Sequence, residues 1–170
     1  MRELIRHILK ENTFKDDVKQ SIKDNGLLDT IKYVGGTDNL VKILYDGDIM
    51  KFYEDTGFNP VRITDNGMDM YIDDLIIQSL GIEVRTSSRG DEVNLGDFKW
   101  TSGGMNYKFS ARARLFVSQS NGQKLWRVIG TSGDHGFGNS FITKKNTIGK
   151  RGRRQIFNQI IDKYNLQQYL

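Results

Sequence analysis

Asp73, Asp74, Asp97 and Lys99 are the residues whose order could support catalysis. Either of the first two, followed by Asp97-Phe98-Lys99 on a predicted strand, has the order of a D…(D/E)xK metal-dependent nuclease. In such a site carboxylates hold a divalent cation and a lysine positions water. This reading selects Asp74, Asp97 and Lys99, with Glu83-Val84-Arg85 as an alternative closing segment. Short patterns of this kind arise by chance in charged chains, so surface acids and turn residues are the preferred reading. Asp65, Asn66, Asp69, Asp73 and Asp74 offer oxygen ligands for calcium or magnesium. They lack the spacing and closing glutamate of an EF-hand, and no metal or cofactor is expected. His7 and His135 are the only histidines and there is no cysteine, which removes thiolate metal sites, disulfides and a cysteine nucleophile. His135 and the glycines 130, 133, 136 and 138 fit a loop, since neither phosphate-loop nor dinucleotide spacing is present.

The basic residues form a second group. Lys108, Arg112, Arg114 and Arg127 share one face of a predicted hairpin with Phe116, giving phosphate contacts beside a stacking surface. The alternative is a solvated strand face whose arginines pair with the acids of the middle of the chain. Lys144, Lys145, Lys150, Arg151, Arg153 and Arg154 precede the apolar series Ile156, Phe157, Ile160, Ile161 and Tyr164. Extending that series backward puts Lys150 and Arg153 on the core face. The expectation is therefore a packed helix from about Arg154, preceded by a projecting basic arm over 144–153. Free amides and cations at a helix start would suit phosphate.

The elements that must position these groups follow from periodicity. Leu4, Ile5, Ile8 and Leu9 share a helical face, and Phe14, Val18 and Ile22 recur at intervals of four, with Thr13 as N-cap and Gly26 as stop. "LLDTIKYVGGTDNLVKILYDG" outlines a helix-turn-helix with Thr37 as the second cap. Asp38, Asn39, Lys42 and Asp46 would give its second helix a net negative face that phosphates repel, so a small helical bundle is expected there. "DGDIMKFYEDTGF" adds a short helix. After Pro60, "VRIT-DNG-MDMYI" reads as a hairpin, and "DDLIIQSLGIEVRTS" as a helix then a strand, or one bent strand. "SSRGDEVNLGD" reads as a loop. Asn121-Gly122 predicts a tight turn that pairs Val117 with Trp126, Leu115 with Val128 and Ala113 with Gly130. A strand over "SFITKK" and the final helix complete an α+β fold. Its division is a helical module over 1–57 and a mainly antiparallel sheet with a C-terminal helix packed on it over 58–170.

Composition narrows the function. With 170 residues, 37% of them hydrophobic, and one proline, the chain can build a packed core. The net charge of +4 is segregated, with −2 over residues 1–59, −5 over 60–97 and +11 over 98–170. That division fits an anionic partner, or pairing within the fold or a homo-oligomer. The start lacks the continuous apolar core of a signal peptide and no run is long enough to cross a bilayer, so the expected location is the cytoplasm of a host cell or a virion, without membrane attachment. At "MRELIRHILKE" and "VGGTDNLVKIL" the first quarter of the chain resembles small proteins encoded by tailed bacteriophages, in which a basic amphipathic helix and a "GGxDN(L/I)" helix start recur. The resemblance implies a phage setting and no catalytic residues. The leading expectation is a non-enzymatic accessory protein that binds nucleic acid, DNA or RNA, through the basic C-terminal half. The alternatives are a neck or tail assembly subunit, an inhibitor that binds a host protein, and the small metal-dependent nuclease.

Overall fold

The computed structural model describes residues 1–132 and 148–170. The expected "SFITKK" strand, Lys144, Lys145, His135 and the glycines 133, 136 and 138 lie outside the described residues. The chain divides into two compact units, Met1–Phe58 and Asn59–Leu170.

The first unit is helical: α1 (Arg2–Asn25), α2 (Leu27–Val34), α3 (Thr37–Tyr45) and α4 (Ile49–Thr56). No break occurs at Thr13, the expected cap. Its hydroxyl donates to the Leu9 carbonyl at 2.8 Å, a bond made inside a continuous helix. Gly35 and Gly36, both at positive φ, turn the chain between α2 and α3. Gly36 rather than Thr37 is the N-cap, and Asn39 donates its amide to the Val34 carbonyl at 3.0 Å. Asp48 caps α4 by accepting from the Lys51 amide. Phe52, fully buried, meets Tyr45, Tyr53 and Phe58 with ring centroids 5.8, 5.5 and 5.8 Å away.

The second unit is a six-stranded antiparallel sheet covered on one face by the last helix. Its strands are β1 (Val61–Ile63), β2 (Met70–Asp73), β3 (Val84–Ser87), β4 (Gly90–Ser102), β5 (Met105–Val117) and β6 (Lys124–Ser132), in the order β1-β2-β6-β5-β4-β3. Between β2 and β3 lies α5 (Asp74–Ser79), with Asp73 as its N-cap. The segment left open between a bent strand and a helix-strand pair is thus the latter. "SSRGDEVNLGD" is not a loop. It turns at Ser88-Arg89 and enters β4, where Thr86 pairs with Asp91 and Val84 with Val93. The polar side chains that suggested a loop alternate with Val93 and Leu95, which are buried.

The β5–β6 pairing is shifted by two residues from the expected register. Leu115 faces Trp126, Ala113 faces Val128 and Ala111 faces Gly130. Asn121-Gly122 is not a two-residue turn, because Ser118 and Gln123 close a longer loop through Ser118 N–H to Gln123 O at 2.8 Å and Gly122 N–H to Ser118 O at 2.8 Å. A shift of two keeps every side chain on its face. The inner face therefore holds Phe109, Ala111, Ala113, Trp126 and Val128, all buried, as expected.

On that face packs α6 (Lys150–Lys163), followed by a 3-10 turn at Leu166–Tyr169. Ile156, Phe157, Ile160 and Ile161 join Trp126, Phe98 and Trp100 in one core. Gly152 permits the contact, since a Cβ there would lie 2.7 Å from Ile148 and 2.9 Å from Trp100. Gln155 and Gln159 bond the backbone of Thr101 and Lys99 on β4, and Lys163 and Tyr164 donate to the Leu95 carbonyl at the β-bulge. Among the described residues, no helix is long and apolar enough to cross a membrane.

Candidate nucleic-acid interface

The face of the sheet opposite α6 collects the charged residues. Strand register aligns Arg62, Tyr71, Arg127, Arg114, Glu92 and Arg85 in one lateral row across all six strands. Directly opposed residues in antiparallel strands share a face, so the row is continuous. Arg62 lies 5.6 Å from the centroid of the Tyr71 ring. Phe116 meets Tyr71 edge to face at 5.4 Å and is 38% exposed. Tyr71, Phe116, Arg114, Arg127 and Ile129 line a shallow depression of about 250 Å³. A second depression of about 350 Å³ is lined by Arg85, Glu92, Asn94, Asp97, Ser110 and Arg112.

Electrostatics within the row are partly self-compensated. Arg112 donates to Glu92 at 3.1 Å, and Arg114 donates to the other carboxylate oxygen through Nε at 2.9 Å and through its terminal nitrogen. Burial raises the Glu92 pKa, but the bond from Arg114 and the charges of both arginines outweigh it and hold the carboxyl below its ordinary range. Arg127 donates twice to Asp69, at 3.1 and 2.8 Å. Lys108 pairs with Asp97 at 3.0 Å, and the Ser110 hydroxyl and Lys108 together lower the Asp97 pKa. The pairing weighed as the alternative for this face is therefore present. Arg62 and Arg85, at either end of the row, have no carboxylate partner among the described residues.

The basic helix start is built differently from the expected arm. Residues 150–153 are the first turn of α6, not a projection, because Gly149 is the N-cap. Arg153 is 5% exposed and cannot offer its charge to phosphate. Its guanidinium donates to the carbonyls of Ile148 and Met68, each at 2.6 Å, which is how a cation is tolerated on the core face. Burial lowers its pKa, an effect that Asp69 partly opposes. Lys150, Arg151 and Arg154 remain exposed at this end of α6. They belong to the helix layer, whereas Arg112, Arg114 and Arg127 are on the opposite face of the sheet.

The acids of the nuclease reading are not brought together. Asp74 accepts from the indole N–H of Trp126 at 2.8 Å and from Gln78 at 2.8 Å, on the helix-covered side. Asp97 and Lys99 are on the open side, with Lys99 opposite Lys108. Of the other oxygen ligands weighed in the β1–β2 region, Asn66 accepts from Thr64 and the Met68 amide, Asp69 holds Arg127, and Asp73 accepts from Leu75 N–H and Gln123. No group of three or more His, Cys, Asp or Glu that could hold a metal occurs among the described residues.

Arg62 and Tyr71 are not singled out by the sequence, and Arg85 is weighed there only as the end of a nuclease pattern, not as part of a basic surface. Alternation around Arg62, between Val61 and Ile63, is the local signal that was present. What was missing was strand order, which puts β1, β2 and β3 beside a hairpin distant in sequence. No family model, curated protein or solved structure matches this chain, so the reading of the open face rests on its own residues.

Proposed function

We propose that the protein is a non-enzymatic accessory protein, of the phage type its first quarter resembles, that binds single-stranded nucleic acid across the open face of its sheet. The observation that carries this reading is the row Arg62–Tyr71–Arg127–Arg114–Glu92–Arg85 with Phe116 beside it. Guanidinium groups would track phosphates while Phe116 and Tyr71 receive an unstacked base, a contact worth about 1–3 kcal/mol. Arg62 and Arg85 supply charge directly. Phosphate would compete with Glu92 for Arg112 and Arg114 and with Asp69 for Arg127. A duplex hides its base faces, so the aromatic pair favours a single strand.

Fluorescence anisotropy of a labelled single-stranded oligonucleotide across a salt series tests this. Expected are binding at low salt, a slope of about −0.7 per neutralised phosphate, and loss of affinity in Phe116→Ala and in Arg62→Ala with Arg85→Ala. Absence of binding at low salt, or affinity indifferent to these substitutions, would end the reading.

A further inference from the structure

β3 ends the sheet on one side, and all of its residues are exposed. A bare strand edge is a row of unpaired N–H and C=O groups that another chain can extend. Elsewhere the sheet blunts its edges. Where β4 runs past β3, Gln155 and Gln159 of α6 bond both the amide and the carbonyl of Thr101 and Lys99, standing in for a neighbouring strand. On the opposite side, β1 is only three residues long and follows Pro60, which has no N–H to offer. β3 has neither device among the described residues, and Val84 on it is 48% exposed.

The hairpin turn fixes which backbone groups point outward. Ser87 and Gly90 flank the two-residue turn Ser88-Arg89 and, as the closing pair, bond each other. Bonded and non-bonded pairs alternate along an antiparallel ladder, so Arg85 is turned to Glu92 and the N–H and C=O of Val84 and Thr86 face the free edge. Side chains alternate as well. Val84, opposite the buried Val93, is on the side of the sheet that α6 covers. Arg85 is on the open side, and Glu83, one residue before β3, shares that side. Neither Glu83 nor Arg85 has an ion-pair partner among the described residues.

This short stretch is complementary to itself. An antiparallel copy of β3 must set outward backbone groups against outward backbone groups, which leaves few registers. When the pair is centred on Val84, the two valines bond each other through the backbone, and Glu83 of each chain lies directly opposite Arg85 of the other. Glu83 and Arg85 then form a non-hydrogen-bonded pair, with Cα atoms about 4.5 Å apart, the closer of the two antiparallel spacings. Centred one residue earlier, the two Glu83 carboxylates meet. Centred one residue later, the two Arg85 guanidiniums meet. Like charges directly opposed are destabilising, so charge selects the register centred on Val84.

We infer that two copies of this chain pair antiparallel along β3, in the register that opposes Glu83 to Arg85, and join their sheets into one. Opposed residues share a face, so the two-fold axis stands perpendicular to the sheet and both open faces look the same way. Each exposed Val84 is covered by that of the other copy. Arg85 gains a carboxylate in the pair, and on the reading proposed above phosphate would compete with it as at Arg114. The pairing itself does not depend on nucleic acid.

Sedimentation equilibrium of the full chain without nucleic acid, over a concentration series, reads the association. The mass should rise reversibly from 19.5 kDa to twice that value. Glu83→Arg and Arg85→Glu each oppose like charges twice in the symmetric pair and should weaken it about tenfold. The two substitutions together recreate unlike pairs in the same register and should restore the parent's association. Val84→Pro removes an N–H that the β3–β4 ladder does not use, and should give a monomer with the parent's circular dichroism. Hydrogen exchange at the Val84 amide should slow as the parent's concentration rises. A monomer at every concentration, a dimer indifferent to the single charge swaps, a double swap that stays monomeric, or a Val84 amide protected only when a different protein is bound would each overturn the inference.

Discussion

The two faces of the six-stranded sheet use the same residue spacing for opposite ends. On one, Trp126, Phe109 and Val128 meet Phe157 and Ile160 of α6 and are removed from water. On the other, one position along each strand, Arg127, Arg114 and Tyr71 form part of the lateral row with Arg62, Glu92 and Arg85. Arginine appears on both sides but in different states. Arg153 donates to the carbonyls of Ile148 and Met68 in the core, whereas Arg112 and Arg114 share the Glu92 carboxylate near water. A buried guanidinium bonded to neutral acceptors is a structural group. One clasped by a carboxylate at a surface can be released to a competing anion.

Cutting a large aromatic from each face separates these roles most sharply. Trp126→Ala should cost about 3–5 kcal/mol of stability, while Phe116→Ala should change it by about 0.5 kcal/mol or less and act instead on oligonucleotide affinity. Urea denaturation of both variants checks this, and equal costs would erase the distinction between the faces. Next in size is Arg153→Met. It leaves the Ile148 and Met68 carbonyls without that donor, at about 1–3 kcal/mol, and should leave oligonucleotide affinity and its salt slope unaltered.

The smallest effect concerns Glu92. Its folded pKa lies below the unfolded value, so its contribution is present above the unfolded pKa and is lost as pH falls through the folded one. Glu92→Gln should therefore be less stable than the parent by up to about 1 kcal/mol at neutral pH, with the difference closing below the ordinary glutamate range. Thermal melts from neutral to acidic pH read this. The same substitution frees Arg112 and Arg114 and should tighten oligonucleotide binding. Weaker binding would mean that Glu92 holds the arginines in their receptive positions.

Residue alternation was enough to assign the faces of β5 and β6, and a register slip of two left that assignment untouched because the side-chain period is two. The same argument applied to α6 placed Arg153 on the core side correctly. It led to an arm only because a cation was assumed unable to remain there, and the carbonyls that accept its protons come from Ile148 and from Met68, 85 residues away in sequence. Residue type makes Thr13 and Thr37 cap candidates, but α1 runs on through Thr13, and α3 starts at Thr37 itself with Gly36 as its cap.

Periodicity and turn residues, both local properties, determined that this chain folds as helices followed by an antiparallel sheet and a covering helix. Which cations stand together was decided only in three dimensions. Strand order brings Arg62 and Arg85 to the two ends of the row that β5 and β6 begin, and the thickness of the sheet parts that row from Lys150, Arg151 and Arg154. Pairing between distant strands and the solvation of each guanidinium are long-range facts, fixed when the apolar face closes under α6.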